Sequence, residues 1–276
     1  MSRGQSRVGD GWISFVDEGQ GPPLLLLPGL GGLSSFWSQS WPAFSTQFRL
    51  ISIDQRGCGG SSRCLIDYSI AQMAADVLAV LDDLGVHTAD IVGHSTGGVV
   101  AMWLAAYHPQ RVGRLVASST WAGPDPYMSE CFRMRERILD SLGIDGYRQF
   151  VDLMLYPPSW YSAHRSKIDP RNGTTEVDMA ILRRRMGAIM NFDLRPRLAD
   201  IRHEMLVVCP RDDRVTPLFL SEEIAAAAPR AHLCVLETGG HAAPRIAADG
   251  FCAAALEFFM KAHLDSPPSS LSIAVR

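Results

Sequence analysis

No surplus of positive charge marks this 276-residue chain, in which 26 Lys and Arg stand against 29 Asp and Glu for a formal net charge of −3. That leaves no electrostatic footprint for nucleic acid or an anionic membrane, and neither is expected as a partner. The one dense basic run, Arg183-Arg184-Arg185, reads as a solvated helix face with local ion pairs; the alternative is an anchor for an anionic substrate. Six cysteines (Cys58, Cys64, Cys131, Cys209, Cys234 and Cys252) show no C-x-x-C spacing. That argues against a zinc site or a disulfide framework and for a reducing compartment. Cys209 and Cys234 fall inside apolar runs and read as small buried hydrophobes. No apolar stretch reaches the ~18 residues of a membrane span. Met1-Ser2-Arg3-Gly4-Gln5 lacks the apolar centre of a secretory signal, so a cytoplasmic protein is expected.

Short apolar runs with the character of buried parallel strands recur along the chain. They are 23–27, 48–53, 89–92, 114–118, 205–209 and 232–236. Helical patterns separate them at 69–84, 98–108, 217–228 and 249–263. In the first of these, Ile70, Met73, Ala74, Val77, Leu81 and Leu84 form one apolar stripe, with Ser69 as N-cap, Gln72 as its capping-box partner and Gly85 as the stop. Strands alternating with helices predict an α/β fold with a mostly parallel central sheet covered on both faces. Between Gly123 and about Asp200 the alternation stops. Helical segments at 131–142, 147–155 and 175–190 replace it, which reads as a helical lid over the strand ends. The expected organisation is a first core segment over 1–123, a lid over 124–199, a second core segment over 200–265 and a disordered tail over 266–276.

Gly93-His94-Ser95-Thr96-Gly97, between the run Asp90-Ile91-Val92 and the apolar helix from Val99, has the strand–sharp turn–helix context of a nucleophile elbow. The strained turn requires side-chain-free positions two before and two after the serine, and glycine stands at both. A serine hydroxyl needs a base to take its proton, and the base needs a carboxylate to orient it. Among eight histidines, His241 follows the last apolar run through Glu237-Thr238-Gly239-Gly240, at the carboxyl end of the sheet where the elbow opens. His94 reads instead as shaping the turn. The acid is sought after the preceding strand, where Asp212 and Asp213 adjoin. Asp213 is favoured, Asp212 reads as a turn cap, and Asp125 is a weaker third option. An oxyanion hole needs two backbone amides. Thr96 offers one, and Leu30 in the loop Pro28-Gly29-Leu30-Gly31-Gly32 the other. That loop has neither G-x-G-x-x-G nor a G-K-[ST] ending, so it does not read as a phosphate cradle.

With nucleophile, acid and base in the order Ser–Asp–His, the chain resembles the α/β-hydrolase superfamily over nearly its whole length. Asp54-Gln55-Arg56-Gly57-Cys58-Gly59-Gly60-Ser61 resembles that family's D-x-R-G-x-G-x-S loop, in which Asp54 and Arg56 are structural. Pro28 stands where the family usually has a histidine. Asp67–Asp76, Cys131–Arg137, Leu155–Trp160 and Gly239–Ala242 look like the aminoacrylate (carbamate) hydrolases of bacterial pyrimidine degradation. Similarity to enol-lactone hydrolases and small carboxylesterases is looser. The resemblance implies an α/β-hydrolase fold and a cofactor-free, metal-free serine hydrolase of a small acyl substrate: an ester, lactone, amide or carbamate. Two rivals use the same residues, a non-turnover ligand-binding protein and a carbon–carbon bond hydrolase of dienoic diketones. An aspartate at the elbow would mark a dehalogenase or epoxide hydrolase, and this chain has serine there. Trp121, Phe132, Tyr156, Trp160 and Met186 are candidates to line the pocket. An arginine at 133, 135, 137 or 183–185 is a candidate to meet a substrate carboxylate. A homodimer is a possible assembly.

Overall fold

The structure, a computed structural model, describes residues 2–168 and 179–261. The expected tail at 266–276 lies outside them, as do the start of the last expected lid helix and the end of the C-terminal one. Eight strands form one sheet in the order β1-β2-β4-β3-β5-β6-β7-β8. They are β1 (Ser2–Val8), β2 (Gly11–Glu18), β3 (Pro23–Leu27), β4 (Arg49–Ile53), β5 (Ala89–His94), β6 (Val112–Ser118), β7 (Met205–Pro210) and β8 (Ala231–Leu236). From β4 through β8 all neighbours run parallel, while β1 and β2 add an antiparallel edge. This edge hairpin is absent from the sequence reading. β1 is largely exposed and polar, so it offers no apolar run to find.

The parallel strands are buried on both faces, and the pleat sorts their side chains. Leu25 and Leu27 of β3 join the core cluster beneath α2 (Ile70–Asp83) and α3 (Thr96–Tyr107). Leu24 and Leu26 join the opposite cluster, with Phe44 of α1 (Trp41–Ser45) and Phe251 of α9 (Ala248–Met260). Alternation with period two is what lets one leucine run feed two cores. At the start of α2, the Ser69 side chain accepts a 3.0 Å hydrogen bond from the Gln72 amide. The Gln72 side chain turns to Asp76 instead of back to Ser69, so the reciprocal arm of the expected capping box does not form.

Between β6 and β7 the described chain is helical. α4 (Pro126–Leu155) is two helices joined at Gly143, whose φ of 65° and ψ of −165° break the helical run. α5 (Pro158–His164) and α6 (Met179–Met190) follow. Asp125 caps α4, accepting from the Met128 amide at 3.0 Å. α7 (Leu218–Ala227) connects β7 to β8, and α8 (Ala243–Ile246) precedes α9. What matters for function is the carboxyl edge of the sheet. Register pairs Leu27 of β3 with Gly93 of β5, so the loop leaving β3 runs beside the elbow leaving β5.

Candidate active site

Ser95 sits between β5 and α3 with φ 54° and ψ −121°, a conformation that costs a non-glycine residue on the order of 1–3 kcal/mol. The surroundings hold it there. A Cβ on Gly93 would lie 2.4 Å from the Gly97 carbonyl oxygen, and one on Gly97 would lie 2.2 Å from that of Leu27. No side chain fits at either position, so the glycine pair is a condition of the turn. The Ser95 amide donates to the Ser118 carbonyl at 2.8 Å, and its carbonyl accepts from the Thr120 hydroxyl at 2.8 Å.

Asp213, on the turn after β7, is buried. Oδ1 accepts from the amides of Val215 and Thr216 at 2.8 and 3.0 Å, and Oδ2 from the Thr216 hydroxyl at 3.0 Å. Nδ1 of His241, also buried, lies 2.9 Å from Oδ2. Burial by itself would push the Asp213 carboxyl up. The charge and hydrogen bond of His241, with the two donated amides, outweigh it and hold the carboxyl below its ordinary value. With Nδ1 held by the carboxylate, Nε2 is the ring nitrogen that does not bond to it. Asp212 has a different task. It accepts from the Thr238 hydroxyl at 2.8 Å and the Gly240 amide at 2.9 Å, tying down the loop that carries His241. Ser95, His241, Leu30 and Thr96 all line one cavity of about 560 Å³ beneath the lid.

This geometry has company among known proteins. Residues 22–149 match the alpha/beta hydrolase fold family. A protein of Caulobacter sp. (strain K31) named "Putative carbamate hydrolase RutD" is 36% identical over 241 residues, covering 85% of this chain and 89% of its own. The chain belongs to the α/β-hydrolase family. A protein of the same name from Serratia proteamaculans (strain 568) is 36% identical over 230 residues, 80% of this chain and 84% of its own. The crystal structure of the enol-lactonase from Burkholderia xenovorans LB400 superposes with a TM-score of 0.87 at 25% identity, covering 94% of this chain and 100% of that one.

Within this α/β hydrolase, Asp54 and Arg56 brace the framework. Asp54 accepts from the Ser34 and Gly60 amides at 2.8 and 3.0 Å, and Arg56 clamps Asp76 through contacts of 2.7 and 3.0 Å. His94 is buried, with Nδ1 3.2 Å from the Ser118 hydroxyl. Its ring stacks on Phe36 and faces the His241 ring, each centroid 4.8 Å away. Burial above all, and then the nearby His241, keep the His94 imidazole well below its ordinary value and hence neutral.

Of the expected pocket residues, Trp121, Phe132 and Tyr156 line the cavity. Trp160 and Met186 do not. Met186 is fully buried in the main core, on the inward stripe of α6. Trp160 stacks between Tyr156 and His164, at centroid distances of 4.7 and 4.4 Å. The reading of Arg183–Arg185 as a solvated face holds for two of the three. Arg183 pairs with Asp140, and Arg184 reaches the Ile66 carbonyl at 2.9 Å. Arg185 is buried against the cavity, its guanidinium donating to Gln55 and Cys58. Arg133 is paired with Glu130 at 2.7 Å, Arg137 is exposed, and Arg135 is buried. Helical spacing carried a usable signal. Met128, Phe132, Arg135 and Leu139 share one buried face, as do Ile181, Leu182, Arg185 and Ile189. An arginine in an apolar stripe is the pattern that marks it. Thr216, missed altogether, stands three residues after Asp213, the spacing of a side-chain-capped turn. Among the described residues no group of three His, Cys, Asp or Glu is placed to hold a metal ion.

Proposed function

We propose that this hydrolase is a serine hydrolase of a small acyl substrate, with Ser95 as nucleophile, His241 as base and Asp213 as its orienting carboxylate. The observation that carries the reading is the buried pair of His241 Nδ1 and Asp213, 2.9 Å apart, with His241 lining the same cavity as Ser95 on its strained turn. In this scheme Ser95 Oγ bonds to the substrate carbonyl carbon while His241 Nε2 takes the hydroxyl proton. The tetrahedral adduct expels the leaving group, which receives that proton, and the acyl group stays on Ser95. Water then attacks the acyl-enzyme, giving its proton to Nε2. Collapse releases the carboxylic acid and returns the proton to Oγ. The negative oxygen formed in both halves is stabilised by the amides of Leu30 and Thr96. Support for Leu30 is the proximity of its loop: a Cβ on Gly29 would lie 3.1 Å from that of Ser95.

Carbamates and enol-lactones, named for the relatives, both present such a carbonyl, as do esters and amides. The test is labelling of the protein by a fluorophosphonate, together with turnover of p-nitrophenyl acetate, both abolished in Ser95→Ala. Labelling without turnover of any ester, lactone, amide or carbamate would favour a ligand-binding role. Activity confined to vinylogous diketones would favour carbon–carbon bond hydrolysis.

A further inference from the structure

Four arginines, at positions 135, 148, 185 and 245, line the cavity against one aspartate, Asp152. Two of the four already have acidic company. Arg148 contacts Asp145 at 3.4 Å, and Arg245 acts electrostatically on Asp152. The other two have no carboxylate partner among the described residues. Arg135 is 4% exposed and Arg185 2%. Arg135 lies over the Phe132 ring, its Cζ 4.7 Å from the centroid, but Arg135 Nε and Nη2, like Arg185 Nε, are buried N–H groups with no hydrogen-bond acceptor. An arginine cannot shed its charge as a buried lysine can, so such a group calls for an acceptor.

The two guanidiniums come from different lid helices yet share one region. Arg135 on α4 and Arg185 on α6 both line the one cavity, together with Tyr147, where these two helices pack against each other. Arg185 also adjoins the loop after β3. A Cβ on Gly32 would lie 2.8 Å from its Nη1. Gln55, which accepts from Arg185, donates to the Pro28 carbonyl at 2.8 Å. An anion held there is therefore mechanically linked to the loop that carries Leu30.

We infer that Arg135 and Arg185 form a carboxylate-binding subsite, and that the substrates of this enzyme are short acyl compounds bearing a free carboxylate as well as the scissile carbonyl. The planar donor forks suit a carboxylate, and Phe132, Ile144 and Val151 add apolar lining that suits a short hydrocarbon spacer. The assignment rests on Ser95 being the acyl acceptor, but the binding of the anion can be measured without turnover.

The experiment compares monomethyl succinate, glutarate and adipate with their dimethyl esters. At the best chain length, kcat/KM of the intact protein is expected to favour the monoester by at least about 10-fold. In Arg135→Met the monoester-to-diester ratio should fall by about 10-fold, to near unity, carried mainly by KM, with partial recovery in Arg135→Lys. Arg133→Met, on the exposed side of the same helix, should leave the ratio unchanged. Arg185→Met is expected to follow Arg135→Met, and Arg185→Lys serves if it does not fold. Equal use of mono- and diesters at every length, or an unaltered ratio in a folded Arg135→Met, overturns the inference while leaving the serine-hydrolase reading intact. If no ester of either kind turns over, that reading fails, and calorimetric titration with glutarate decides the subsite separately. Binding by the intact protein that is lost in Arg135→Met upholds it, and no binding ends it.

Discussion

The floor of the cavity and its lid are finished to different degrees. On the floor, the Asp213 carboxylate is met by the Val215 and Thr216 amides, the Thr216 hydroxyl and His241. The strained Ser95 turn is locked by contacts that leave no room for a Cβ at Gly93 or Gly97. In the lid, buried N–H groups of Arg135 and Arg185 have no acceptor. The floor hangs from parallel strands of one sheet, β5, β7 and β8, whose register is set by backbone hydrogen bonds, so its parts are held in place before any substrate arrives. The lid helices are placed by side-chain packing, and their polar groups await something the chain does not supply. Chemistry common to a family belongs on the first kind of support and choice of substrate on the second.

Loss of the proposed nucleophile should produce the largest effect. Ser95→Ala is expected to lower kcat on p-nitrophenyl acetate by about 10⁴-fold or more. Retention of a tenth of the activity would mean that the floor does not perform the reaction. Next come the adjoining aspartates. Asp213→Asn should cost about 10⁴-fold in kcat, because the amide favours the wrong imidazole tautomer. Asp212→Asn, which loosens a loop without touching the ring, should cost no more than about 10-fold. Comparable losses in the two would erase the division of labour between them.

Glycine substitutions then set floor against lid in stability. Gly97→Ala drives a Cβ to within 2.2 Å of the Leu27 carbonyl oxygen and is expected to destabilise by about 3 kcal/mol in urea unfolding. Gly187→Ala, inside α6 with no neighbour within 4 Å, should instead stabilise by about 0.5–1 kcal/mol. A neutral Gly97→Ala would show that the floor has slack. The smallest effect concerns acid. His94 is kept neutral in the folded state, its imidazole depressed by burial. Above the ordinary histidine value of ~6.5 both folded and unfolded chains are neutral there and the group has no influence. As pH falls below that value the unfolded chain takes up the proton and the folded one does not, so stability declines until the folded value is reached. His94→Gln should show a shallower loss of urea midpoint between pH 7.5 and 5.5 than the unsubstituted protein. Equal slopes would place the acid sensitivity elsewhere.

Much of the floor was legible along the chain because its requirements are local. The runs at Pro23–Leu27 and Met205–Pro210 are apolar throughout, since both faces of those strands are covered. The elbow carries its glycines in place, and Asp213 and His241 each follow a strand whose end faces the same way. The edge hairpin was not legible. A strand such as Ser2–Val8 with one solvent-facing side reads as loop until its partner is known. Met186 was misplaced because helical periodicity says that a residue is inward-facing without saying whether a cavity or a core lies opposite; Trp160, outside every expected helix, offered only its aromatic ring, which stacks on Tyr156 and His164 instead.

Arg135 and Arg185 show where the boundary falls. By itself the sequence determined the alternation of strands and helices, the serine on its turn, and the strand ends after which Asp213 and His241 stand, because each depends on neighbours within a few residues. That Arg183 and Arg184 reach solvent-side partners while Arg185 turns inward was decided only by the tertiary structure. A buried charge is defined by what packs around it, and Gly32, Gln55 and Cys58 come to Arg185 from distant parts of the chain.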